Sequence, residues 1–163
     1  MGEDCLSTID VLQKLGVKIK VEGSTVYTYG KGINDLSKPK DILYVGNSGT
    51  TIRLMSGILA GRDFESTLDG DLSIRKRPMK RIIDPLQEMN VSITHNNGLL
   101  PIKVFNRNNQ YIPINHTLNV GSAQVKSCIL LAALNTKGTT KIVEKIPSRD
   151  HTEIMLKFLG ANL

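Results

Sequence analysis

The chain lacks the features that mark several common classes of protein. It has no Trp, and only 4% of its 163 residues are aromatic, so few rings could stack on single-stranded nucleic acid. Its two cysteines, Cys5 and Cys128, are far apart and form neither a disulfide framework nor a zinc motif. No apolar run reaches the roughly 18 residues of a membrane span, and no signal peptide is visible. We therefore expect a cytoplasmic protein with no metal site and with neither membrane nor nucleic acid as a partner.

The charge is positive but unevenly placed. A formal net charge of +6 accompanies 40% hydrophobic and 22% charged residues, a composition typical of a folded domain. Charge alone would allow nucleic-acid binding. The one dense basic cluster is Arg75, Lys76, Arg77, Lys80 and Arg81. Such a cluster indicates either a solvated face or a pocket for a small anion.

An internal repeat is the main organising feature. Residues 8–19 read TIDVLQKLGVKI, residues 82–93 read IIDPLQEMNVSI, and residues 152–163 read TEIMLKFLGANL. The aligned positions Gly16, Asn90 and Gly160 are 74 and 70 residues apart. A fixed period of this size indicates repeated structural units. We predict units at about 5–75, 76–147 and 148–163, the last of them incomplete.

Each unit has the pattern of a small α/β module. In the first copy, apolar residues at helical spacing predict a helix over 6–15, Gly16 predicts its end, and alternation predicts a hairpin over 17–29. The second copy predicts a hairpin around residues 96–98. Between them, strands over 42–45 and 118–120 precede helices over 51–60 and 123–134, and strands over 64–68 and 139–143 follow. The predicted fold class is therefore α/β, built from repeated units.

Two loops between a strand and a helix are candidate anion sites. Residues 46–51 (GNSGTT) and 121–124 (GSAQ) place small and hydroxyl residues at a helix N-terminus, where free N–H groups and the helix dipole favour anions. Both loops could equally be ordinary turns with N-caps. Arg77 precedes Pro78, which favours extended backbone and suits a bidentate grip on phosphate or carboxylate. By itself, Arg77 could also cap a neighbouring helix.

Four segments, taken together, resemble the 5-enolpyruvylshikimate-3-phosphate synthase family. They are GNSGTTIR at 46–53, GDLSI at 70–74 with RPM at 77–79, GSAQVKS at 121–127, and SRDHTE at 148–153. Their order is that of the family, and the resemblance covers essentially the whole chain. It implies an inside-out α/β fold with two domains, each made of three βαβαββ units, and an active site between them. Residues 1–163 would be most of the N-terminal-half domain.

The resemblance also implies a reaction and its residues. The family transfers the enolpyruvyl group of phosphoenolpyruvate to the 5-hydroxyl of shikimate 3-phosphate, without metal or cofactor. Gly49, Arg77 and Gln124 would bind phosphoenolpyruvate. Shikimate 3-phosphate would be held by Ser122, the backbone at Ala123, Gln124, Ser148 and Arg149.

Two departures from the family pattern limit this expectation. A leading Lys-Ser block and the second domain, which carries the acid/base residues, do not occur in this sequence. We therefore expect a fragment whose partner is that second domain, and which binds substrates weakly and is inactive alone. Leu54 stands where several members carry Pro, which bears on inhibitor response and not on reaction class. The alternatives are a non-catalytic anion-binding module and a relative of the UDP-N-acetylglucosamine enolpyruvyl transferase, whose reactive Cys has no counterpart at residues 73–76.

Overall fold

The computed structural model describes residues 1–105 and 111–163, which form five α-helices and eight β-strands. The helices are α1 Glu3–Lys14, α2 Gly49–Ala60, α3 Lys80–Glu88, α4 Ala123–Ala133 and α5 His151–Phe158. The strands are β1 Lys18–Glu22, β2 Thr25–Tyr29, β3 Leu43–Tyr44, β4 Ser66–Asp69, β5 Ser92–Asn96, β6 Leu99–Phe105, β7 Asn115–Leu118 and β8 Lys141–Glu144. Short 3-10 turns lie at Ile33–Asp35 and Ile74–Lys76.

Both predicted hairpins are confirmed. Strands β1 and β2 pair antiparallel, with Glu22 opposite Thr25. Strands β5 and β6 also pair antiparallel. Their connections use positive φ at Gly23 and at Asn97 and Gly98, the backbone conformation that a tight hairpin requires.

One complete βαβαββ succession occupies residues 43–105. Its strands form a four-stranded sheet in the order β3-β4-β6-β5, in which β3 and β4 are parallel and β6 is antiparallel to both its neighbours. The elements α1, β1 and β2 precede it, and β7, α4, β8 and α5 follow it, with β7 parallel to β8. Each predicted unit begins with a helix, whereas the observed βαβαββ succession begins with strand β3. The predicted and observed divisions of the chain are therefore offset from each other.

Helices α2 and α4 form the buried centre and run parallel to each other. Their N-terminal turns meet through Arg53 and Gln124, and their C-terminal ends meet through Arg62 and Asn135. Between these points the backbones touch, since a Cβ built on Gly57 would lie 2.3 Å from the carbonyl oxygen of Cys128. Only glycine permits this approach. The hairpin strands β1 and β2, by contrast, are mostly exposed, so α2 and α4 lie inside the fold while this hairpin lies at its surface.

Several predicted boundaries were wrong by a few residues, including the starts of β4 at Ser66 and of β8 at Lys141. Helix α1 begins at Glu3 and α2 at Gly49, because polar residues fill the first turn of each helix ahead of the apolar stripe. Strand β7 ends at Leu118, whereas a strand had been predicted over residues 118–120. Its partner β8 ends at Glu144 in the same register. Val120 is half exposed and belongs to the loop before α4.

The last helix presents an apolar surface. Met155, Phe158 and Leu159 on and just after α5 are 48%, 89% and 70% exposed. Across 1–105 and 111–163, no helix combines the length and apolar character that crossing a membrane requires.

Candidate anion-binding site

The loop before α2 is shaped by its small residues. Gly46 adopts φ +57, and its carbonyl oxygen accepts a hydrogen bond from the Asp71 N–H at 2.9 Å. Ser48 caps the helix: its Oγ accepts from the Thr51 N–H at 3.1 Å. A Cβ on Gly70 would lie 2.3 Å from the Gly46 oxygen. The two glycines therefore let the loop 46–49 and the loop 70–74 close on each other.

Two guanidinium groups lie over Gly49, the first residue of α2. A Cβ on Gly49 would lie 2.9 Å from Arg53 Nη1 and 3.2 Å from Arg77 Nη1. Arg77 Nη2 donates to Asn47 Oδ1 at 2.8 Å, and Arg53 Nη1 donates to the Gly49 carbonyl oxygen at 3.2 Å. The absence of a side chain at Gly49 keeps both arginines close to the helix N-terminus.

Gln124 joins this loop to the first turn of α4. Its Oε1 accepts from Arg53 Nη1 at 2.6 Å, and its Nε2 donates to Thr50 Oγ1 at 2.8 Å. The structure thus brings together Gly49, Arg77 and Gln124, the three residues predicted to bind phosphoenolpyruvate. Gln124 is held by two side-chain hydrogen bonds and does not extend freely into solvent.

Positive charge is concentrated near the N-terminal ends of α2 and α4. Burial, and next the nearby charges of Arg77 and Arg81, lower the pKa of the Arg53 guanidinium from its ordinary value. Within the described part of the chain, none of these three arginines has a carboxylate oxygen within 4.0 Å. A half-buried cation next to like charges is less favourable than a solvated one, and an anion that joins it relieves the repulsion.

Arg75 of the same basic cluster is engaged elsewhere. It grips Asp69 through both carboxylate oxygens, with Nε donating to Oδ1 at 2.8 Å and Nη2 donating to Oδ2. The hydrogen bond from Arg75 is the main reason that the pKa of Asp69 lies below its ordinary value. The cluster is thus neither a uniform solvated face nor a uniform pocket, because Arg75 braces the loop while Arg77 faces Gly49.

A second, open pocket lies beside the N-terminus of α4. Its lining is Gly121, Ser122, Ala123, Gln124, Pro147, Ser148 and Arg149, which includes every residue predicted to bind shikimate 3-phosphate. Ser122 caps α4 by accepting from the Val125 N–H at 3.4 Å. A Cβ on Gly121 would lie 3.1 Å from the Ile146 carbonyl oxygen. The contact explains how the loop that carries Ser148 comes to lie against α4.

Ser148 is held from behind by a buried ionic network. Its Oγ donates to Glu144 Oε1 at 2.5 Å, and Glu144 Oε2 accepts from Lys126 Nζ at 2.8 Å. Lys126 also pairs with Glu153 Oε1 at 2.6 Å, and its side chain is only 6% exposed. Burial alone would raise the pKa of Glu144, but the hydrogen bonds from Lys126 and Ser148 outweigh it and lower that pKa. Glu144 is therefore an ionised acceptor.

Sequence reasoning did not assign a site role to Arg53 or Lys126. Arg53 lies four residues after Gly49 on one helix, and residues at that spacing share a face, so it could have been included. Lys126 is the only charge in the described helix α4. A lone charge in an apolar helix indicates a buried partner, but its partners, Glu144 and Glu153, could not be named without the fold.

The far ends of α2 and α4 are electrostatically different. Arg62, 8% exposed, follows α2 and donates to the Ile33 carbonyl oxygen at 2.7 Å and to Asn135 Oδ1 at 2.8 Å. Because helix C-termini carry partial negative charge, a cation there is favourable. At the N-terminal ends, the positive dipole ends meet more positive charge. The helix pair therefore has one compensated end and one end that favours an anion.

Comparison with known proteins agrees with the motifs. The family model of EPSP synthase (3-phosphoshikimate 1-carboxyvinyltransferase) matches residues 1–163. The chain is 53% identical to the 3-phosphoshikimate 1-carboxyvinyltransferase of Bacillus velezensis, over 99% of this chain and 38% of that protein. With the enzyme of the same name from Ruthia magnifica, the identity is 54%, over 98% and 36%.

Solved structures agree as well. An EPSP synthase structure from Acinetobacter baumannii superposes with a TM-score of 0.94 at 42% identity, covering 99% of this chain and 37% of that one. The chain therefore spans somewhat more than a third of the length of these relatives. The predicted inside-out α/β architecture is confirmed.

Proposed function

The chain belongs to the EPSP synthase family, and from this premise we propose that its described residues form one wall of an enolpyruvyl-transfer site. The observation that carries the proposal is the uncompensated positive end of the α2–α4 pair. There, two helix N-termini, Arg53, Arg77 and Gln124 converge on Gly49. Phosphoenolpyruvate, which bears a phosphate and a carboxylate, matches this charge and its hydrogen-bond donors.

The neighbouring pocket suits the second substrate. Ser122, Gln124, Ser148 and Arg149 offer hydroxyl, amide and guanidinium groups around the N-terminus of α4. These groups fit the phosphate and ring hydroxyls of shikimate 3-phosphate. Because Gln124 lines this pocket and also touches Arg53 and Thr50, it lies between the two proposed ligands.

The chemical contribution of this wall is electrostatic. Fixed arginines and helix N-termini stabilise charge that develops during enolpyruvyl transfer, without having to reorganise. Arginine and amide groups are poor proton acceptors at neutral pH, so we assign the proton transfers to the additional length of the relatives. On this proposal the chain has a second domain as its partner, acts in the cytoplasm, binds substrates weakly alone, and turns them over only when the site is completed.

Binding and turnover can be tested separately. Titration of the isotope-labelled chain with shikimate 3-phosphate should shift the backbone amide signals of Ala123 and Arg149 in NMR spectra at millimolar ligand. Gln124→Ala should weaken that binding, whereas Gln87→Ala, an exposed glutamine on α3, should not. Phosphate release from both substrates should stay at the background rate. Absent shifts would refute the binding proposal, and measurable turnover would refute the assignment of the proton transfers.

A further inference from the structure

The hydroxyl of Ser148 has only one proton, and Ser148 donates it in a hydrogen bond to Glu144. The 2.5 Å distance from Ser148 Oγ to Glu144 Oε1 is that of a short, charge-assisted hydrogen bond. A serine hydroxyl donates once and accepts through its lone pairs, whereas phosphate oxygens at neutral pH mainly accept. In the arrangement observed, Ser148 therefore turns only lone pairs toward the pocket, and these repel a phosphate.

Glu144 is itself firmly placed. Its second oxygen accepts from Lys126, a buried residue in the first turn of α4 that also bridges to Glu153 at the start of α5. Ser127 Oγ and Thr152 Oγ1 form a further tie between these two helices at 2.6 Å. The carboxylate therefore cannot move away from Ser148 without disturbing its part-buried ion pair with Lys126, whose own side chain is only 6% exposed.

We propose that Glu144 is a positioning residue that sets which hydrogen bond Ser148 can offer to a bound phosphate, so that phosphate and Glu144 compete for one hydroxyl proton. The proton stays on Ser148 throughout, and only the direction of the O–H bond changes. The inference rests on the proposed function, because it takes Ser148 to face the phosphate of shikimate 3-phosphate. It adds a residue behind the pocket lining that tunes affinity for that phosphate.

Glu144→Gln is a nearly isosteric test. The glutamine carbonyl can still accept from Lys126, while its NH2 group donates to Ser148 Oγ and reverses that hydrogen bond. The Ser148 proton is then free for the ligand. We expect about tenfold tighter binding of shikimate 3-phosphate, in the range for a hydrogen bond to a charged group, and unchanged binding of shikimate, which has no phosphate.

Removing a negative charge would also favour an anion, so a double-variant cycle is needed. If Ser148 transmits the effect, the gain from Glu144→Gln disappears in a Ser148→Ala background. A gain that persists without the Ser148 hydroxyl would overturn the positioning role and leave only a charge effect. Glu144→Asp retains the charge but is too short to reach both Lys126 and Ser148. It should also tighten phosphate binding, and it provides the test if the glutamine variant does not fold.

The outcomes separate the two proposals. If the unaltered chain shows no binding of shikimate 3-phosphate, the proposed function fails and this inference fails with it. If the unaltered chain binds but the two Glu144 variants bind with the same affinity as it does, the inference alone fails.

Discussion

Gly57→Ala is expected to damage the protein although alanine is the better helix former. In the middle of a helix, replacing glycine by alanine normally stabilises by about 1 kcal/mol. At Gly57, however, the new Cβ would lie 2.3 Å from the Cys128 carbonyl oxygen and 3.1 Å from its Cα. These are backbone atoms of α4 and cannot rotate away, so α2 and α4 would have to separate by roughly 1 Å to restore a normal contact distance.

The cost follows from how much packing that separation disturbs. Met55 and Leu59 on α2, and Cys128 and Ile129 on α4, are at most 2% exposed, and a gap of this size forfeits a quarter to half of each dispersion contact. Overpacking of a core typically costs about 1–3 kcal/mol. Since backbone is involved, we place the net loss near the upper end, at about 2–3 kcal/mol after the gain in helix propensity.

Urea unfolding followed by circular dichroism measures this loss, and Gly49→Ala is the matched control on the same helix. At Gly49 the added Cβ meets only the tips of the Arg53 and Arg77 side chains, which can move. We expect the control to keep or slightly raise the free energy of unfolding while weakening phosphoenolpyruvate binding. A Gly57→Ala chain within about 0.5 kcal/mol of the unaltered protein, the usual scatter for harmless substitutions, would refute the close packing of α2 and α4.

Three further predictions concern single side chains. Arg77→Lys should weaken phosphoenolpyruvate binding about tenfold in an NMR titration, because lysine cannot provide a bidentate grip. Arg75→Lys should lower stability and leave that binding unchanged. An equal loss of binding in both variants would contradict the assignment of ligand binding to Arg77 and loop bracing to Arg75. The pKa of Asp69 is lowered in the folded state, chiefly by the hydrogen bond from Arg75, so its contribution to stability is present above the unfolded pKa and lost as pH falls through the folded pKa. Asp69→Asn should therefore flatten the acid side of the stability curve in unfolding measurements between about pH 5 and pH 2, and an unchanged slope would argue against it. Burial raises the pKa of the Cys128 thiol to about 12, whereas Cys5 is exposed. A thiol reagent at pH 8 should therefore label Cys5 quickly and Cys128 only on unfolding. Rapid labelling of both cysteines would show that the core around Cys128 opens.

The sequence predicted individual helices and hairpins better than the pairing between elements that are distant in the chain. The hairpin at residues 17–29 follows from alternation and one glycine turn, and α2 and α4 follow from an apolar run behind a capping serine. These signals lie within a dozen residues of chain. The end of β7 was missed because it depends on pairing with β8, which lies more than twenty residues away.

The candidate site shows the same division. Gly49, Arg77 and Gln124 were predicted from motifs, and the structure places them together without testing what they bind. The contact of Arg53 with Gln124 joins residues 71 positions apart, and the Lys126 network joins α4, β8 and α5. Periodicity and propensity carry no information on such contacts, because long-range packing creates them.

The parallel arrangement of α2 and α4 has a practical consequence for anyone who purifies this protein. At the N-terminal ends of these two helices, the positive helix dipoles and the arginine side chains repel one another. Any small anion that binds there therefore stabilises the folded chain by mass action. Melting temperatures measured in sulfate or phosphate buffer should therefore exceed those in chloride at equal ionic strength. Stabilities of variants at Arg53, Arg77 or Arg81 are comparable only when the buffer anion is the same.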